Sequence, residues 1–370
     1  METNNKFLWI DRDPALYTTN YMGLFDLTKG ILMVVIILSH CFHRYIDILF
    51  YPSDISKLEV LLLGPLAVIS YGTVSMLFMV CGYGIRRQSV KKYAKNQLSL
   101  FLFPYLCVIV CLIITALVKW CVAGGSLTNR LAHQVLPFLF GFHPGAHLLG
   151  ESAVQIGPVW FFFTYIFASI YLNLILQEPR VWVQVLLLAL STAAGCLLIG
   201  LPLPFCIQQV LICSGFLYAG MQLKRWKIPQ QKIPWFAFFL ILCLCTLSRG
   251  LGGLAEIANN LYVFGAMELI TVYLAGVMML CLMLRLNALQ GILPDSLRWV
   301  GRHMMWFCCV HTVSEKAMPW GRIKQFFAGS PMTGLLLEIL FSLIFAVLGC
   351  RLLNGCVKKI LSHRRARRAG

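Results

Sequence analysis

Between Glu59 and Arg86 the chain runs for 26 residues without a charge. At 1.5 Å of rise per residue, a helix of that length is about 39 Å long, more than the roughly 30 Å hydrocarbon core of a bilayer. Only a helix that satisfies its own backbone hydrogen bonds can carry such a run through lipid. The run is one of several. The uncharged stretches predict spans near 24–48, 60–85, 98–118, 158–177, 181–201, 203–223, 234–250, 261–284, 298–318 and 332–353. "GLPLP" between the fifth and sixth is a tight turn between antiparallel helices. Composition agrees: 59% of the 370 residues are apolar and 12% are charged. A soluble domain has about a quarter of its residues charged.

The expectation is an all-α polytopic membrane protein, one integral domain over residues 1–370 with about ten transmembrane helices. Residues 1–20 are polar and lack the apolar core of a secretory signal. Ten spans place both termini on one side. That side collects 23 of the 31 Lys and Arg residues and the other side eight, so the positive-inside rule predicts cytoplasmic termini in a plasma membrane. The net charge of +17 is then mostly topology and contact with anionic lipid. The tail 357–370, ending "KKILSHRRARRAG", is a juxtamembrane basic segment and not a nucleic-acid site.

Within this frame "DLTKGILMVVIILSH" raises a chemical question. Lys29 and His40 are eleven residues apart, about three turns and ~16 Å of rise, and so share a face. Asp26 lies one turn below Lys29 and is placed to pair with it. An imidazole halfway across a membrane resists protonation and is a candidate general base. A histidine that only hydrogen-bonds a neighbouring helix fits the same spacing. His43 is read as an outer-end polar residue beside Arg44.

The stretch resembles the first-helix signature of the acyltransferase-3 superfamily, bacterial membrane-bound O-acyltransferases that modify cell-surface glycans. That family shows Asp, then Arg or Lys, then ten intervening residues and His, here on Asp26, Lys29 and His40. Lys replaces the commoner Arg, which removes the bidentate fork, although a phosphate can still be met by a point charge. "SMLFMVCGYGIRR" is similar to the second helix, with Cys81 where the family usually has Ser. "QLSLFLFPYL", "GPVWFFFTYIF" and "VGRHMMWFCCVH" resemble later segments, so that the likeness covers about residues 22–315. It implies transfer of an acyl group, often acetyl, from cytoplasmic acyl-CoA to a hydroxyl of a glycan, lipid-linked or other acceptor. Acyl-CoA is then a co-substrate, with no permanently bound cofactor. His40 would be the base, with Asp26 and Lys29 as the further catalytic residues on the same helix, and Lys29, Arg86 and Arg87 would meet the CoA phosphates. Trp160, Glu268, Arg302 and His311 are candidates for substrate contact.

Other polar residues inside spans carry competing readings. Glu268 is functional by default or pairs with Arg249 or Arg302. His311 and Glu315 are i,i+4 and share a face, and Glu338 is read as a packing partner. The loop near 119–157 holds His143, His147 and Glu151, but Pro144 and Gly145 break the helix that would align them, and no metal site is expected. The fifteen cysteines sit mostly inside spans and are read as small packing residues. The alternative function is a transporter or flippase of a glycan or lipid intermediate, using Glu268, Arg302 and His311. A sensory or scaffold protein is a third reading.

Overall fold

The structure, a computed structural model, describes residues 23–49, 57–141, 147–148, 151–152, 156–198, 201, 203–227, 235–253, 255–287 and 289–369. It is helical nearly throughout. The helices are α1 (Asp26–Leu49), α2 (Lys57–Tyr83), α3 (Val90–Ala123), α4 (Leu127–Phe140), α5 (Trp160–Ile175), α6 (Val181–Leu197) and α7 (Ile207–Arg225). They continue as α8 (Trp235–Gly250), α9 (Ala266–Leu286), α10 (Ile292–Arg302), α11 (Met304–Ala317), α12 (Trp320–Phe326) and α13 (Pro331–Ala369). The one sheet among the described residues is a hairpin, His147–Leu148 against Glu151–Ser152. The His147 and Glu151 backbones therefore lie on paired strands, not on a helix, and His143 is outside the described residues.

Six segments are long and apolar enough to cross a membrane: Asp26–Tyr45, Val90–Ala123, Gly157–Ile175, Pro204–Arg225, Met267–Leu286 and Pro331–Gly355. Shorter apolar helices, Tyr71–Tyr83, Val181–Leu197 and Trp235–Gly250, stand where spans 60–85, 181–201 and 234–250 were expected. The span expected at 298–318 is not one helix. It breaks at His303, where α10 ends and α11 begins. The 14 residues of α11 rise about 21 Å, short of a bilayer core of about 30 Å. The chain therefore has an all-α membrane architecture, with residues 298–318 as a correction to the ten expected spans.

Packing runs through bare backbone. On α2, Gly82 faces the Leu217 backbone of α7, and Gly220 of α7 faces the Met79 backbone in return. A Cβ at either position would overlap the facing chain. Gly30 of α1 and Gly301 of α10 make the same kind of contact, against Leu297 and the Asp26 carbonyl. In lipid, where apolar side chains gain little by leaving their surroundings, such close approach is what draws helices together. Around these crossings α2 packs on α7, α8 and α9, while α13 packs on α1 and α11. Aromatic rings fill the seam: Phe25 meets Tyr83 edge-on at 5.0 Å, and Phe78 meets Phe161 at 4.9 Å.

Gly82→Val is expected to destabilise the protein by at least ~1–3 kcal/mol, the usual cost of overpacking. Gly355, with open space at its Cβ position, is the control: Gly355→Ala should be neutral or stabilise by up to ~1 kcal/mol through helix propensity. Thermal unfolding in detergent checks both.

Candidate functional site

Three helices each bring one i,i+4 polar pair to a single place. α1 brings His40 and Arg44, α11 brings His311 and Glu315, and α13 brings Glu338 and Ser342. That spacing puts both members of each pair on one helical face. Arg44 ties the three helices together. Its Nη1 donates to Glu315 Oε2 at 2.5 Å and its Nη2 to Glu315 Oε1 at 3.1 Å. Its Nε donates to Glu338, a carboxylate with no exposed surface. Trp320 of α12 closes one side, its ring 5.5 Å from the Arg44 guanidinium and its indole N–H donating to the Ser314 carbonyl at 3.1 Å. Cys41 reaches Ser342 at 3.7 Å.

His40 lies one turn before Arg44. Its ring meets the edge of His311 with 5.3 Å between centroids and 64° between planes. His311 is 1% exposed, and neither of its ring nitrogens has a hydrogen-bond partner among the described residues. Glu315 Oε1 lies 3.8 Å from His311 Nε2, close enough for charge to act and too far for a hydrogen bond. His40 is half-buried. The arrangement is a row of carboxylate, buried imidazole and half-buried imidazole, with the carboxylate locked by a guanidinium. Buried polar atoms nearly always find partners, so two unpartnered nitrogens beside a half-buried histidine make this place the candidate site.

The other expected site residues fall elsewhere. Lys29 pairs with Asp26 at 3.0 Å as the spacing predicts, and Arg302 reaches Asp26 at 3.8 Å. Arg86 and Arg87 are exposed just beyond α2. Arg87 donates to the Gln177 carbonyl at 3.1 Å, and Arg86 lies within electrostatic reach of Lys224. Lys224 stacks on Tyr83, which in turn touches Phe25 one turn before Lys29. The cations of α1, α2, α7 and α10 thus gather at the Lys29 end of the bundle. Trp160 is buried, its ring 6.2 Å from that of Phe78. Glu268 pairs with neither Arg249 nor Arg302. It accepts from the Tyr71 hydroxyl and the Phe264 N–H, each at 3.3 Å, while Arg249 donates to the Gly253 carbonyl at 3.0 Å.

The fourteen described cysteines are free, and most are buried. In the sequence Arg44 reads only as a neighbour of His43, and Glu338 as a packing partner. The available signal was three polar i,i+4 pairs in three apolar helices, which lipid tolerates only if they face one another. No protein-family model, curated protein or solved structure matches this chain.

Arg44→Met leaves two buried carboxylates without a counter-charge. It is expected to cost ~3–5 kcal/mol, as breaking buried pairs does. Adding Glu315→Gln and Glu338→Gln should recover part of that loss, and a double-mutant comparison by thermal unfolding reads it.

Proposed function

We propose that the chain is a membrane-bound O-acyltransferase of the plasma membrane, with cytoplasmic termini, moving an acyl group from cytoplasmic acyl-CoA to a hydroxyl of a cell-envelope glycan or related acceptor. The observation that carries this reading is the His40–His311 pair, three helical turns from Lys29 along α1. A base and a cationic mouth on one helix, ~16 Å apart, suit a donor with phosphates at one end and a thioester at the other. The resemblance of Asp26, Lys29 and His40 to the acyltransferase-3 signature supports the same reading.

In this mechanism Lys29, Arg86 and Arg87 hold the CoA phosphates, and Arg302, mostly exposed beside Asp26, adds a fourth cation. The pantetheine arm runs along α1 towards His40. A neutral His40 accepts the proton of the acceptor hydroxyl as its oxygen attacks the thioester carbonyl. The tetrahedral intermediate collapses with cleavage of the C–S bond. The leaving thiolate takes the proton back from His40, so that ester and free CoA are the products. His311, backed by the Arg44-locked Glu315, orients His40 by ring contact and completes the base–orienter order of nucleophilic sites. A transporter would use Glu268, Arg302 and His311 along one path, yet Glu268 accepts from Tyr71, Arg302 reaches Asp26 and His311 faces His40.

The test is thiol release from acetyl-CoA by the purified protein with cell-envelope extract as acceptor. His40→Ala is expected to lower the rate by ~10²–10⁴-fold, the usual contribution of a general base, with the variant still folded. Arg86→Gln with Arg87→Gln should raise KM for acetyl-CoA and leave kcat largely intact. Equal release from wild type and His40→Ala removes His40 from the mechanism.

A further inference from the structure

We draw no further inference here: the strongest candidate, the side-chain cluster where Gln208 and Gln209 of α7 meet Asn260 beside the end of α6, with three amide oxygens buried and unpartnered among the described residues, carries nothing because nothing in the structure shows those oxygens meeting at one ligand.

Discussion

One guanidinium holds three helices of this protein in register. Arg44 donates to carboxylates from two other helices, and both of those carboxylates are largely withdrawn from solvent. Taking three charges out of water costs several kcal/mol per ion, so the cluster is a poor source of net stability. What it supplies is specificity. α1, α11 and α13 are apolar over most of their length and, in lipid, could slide or rotate past one another at little cost. A buried charge triad has one register in which every ion is paired. Any slip leaves a bare carboxylate or guanidinium in a low-dielectric interior. The position of His40 against His311 follows, because each lies one turn from a member of the triad.

Two other crossings need no such device. They are made through glycine, where backbone touches backbone and the geometry is set by shape. The α2–α7 crossing at Gly82 and Gly220 and the α1–α10 crossing at Gly30 and Gly301 each fix the approach of two helices at one point. The second crossing also has an electrostatic consequence. It brings the end of α10 onto the start of α1, so that Arg302 joins Asp26 and Lys29. A close packing contact thereby adds a cation to the mouth from which the proposed donor enters.

The broken segment 292–317 shows why polarity inside an apparent span is informative. The stretch from Arg298 to Met318 holds arginines, histidines, a glutamate and a lysine among its apolar residues. A continuous helix would have turned some of them to lipid. The break at His303 separates the two problems. α10 keeps Arg298 and Arg302 at the Lys29 end, where Arg298 bonds the Asn287 and Leu289 carbonyls. α11 carries His311 and Glu315 inward. At the break, His303 is held at both ring nitrogens, by the Trp299 carbonyl at 2.8 Å and by Asn354 at 3.0 Å.

The sequence by itself determined the membrane class, most helix positions and the Asp26–Lys29 pair, because these depend on local quantities: runs of uncharged residues and the 3.6-residue period. His40 and His311 could each be singled out as polar groups that lipid does not tolerate, and i,i+4 spacing was enough to join His311 to Glu315. Nothing local says which polar pair on one helix faces which pair on another. Arg44 and Glu338 therefore read as an end residue and a packing partner, and one of the readings of Glu268 was an ion pair with an arginine it does not reach. Only the tertiary structure decided those partnerships, because they join residues some 200 to 300 positions apart through rotations and tilts of whole helices. Where backbone meets backbone at a glycine, or one guanidinium meets two carboxylates, those rotations are set by contact, and a linear period carries no record of them.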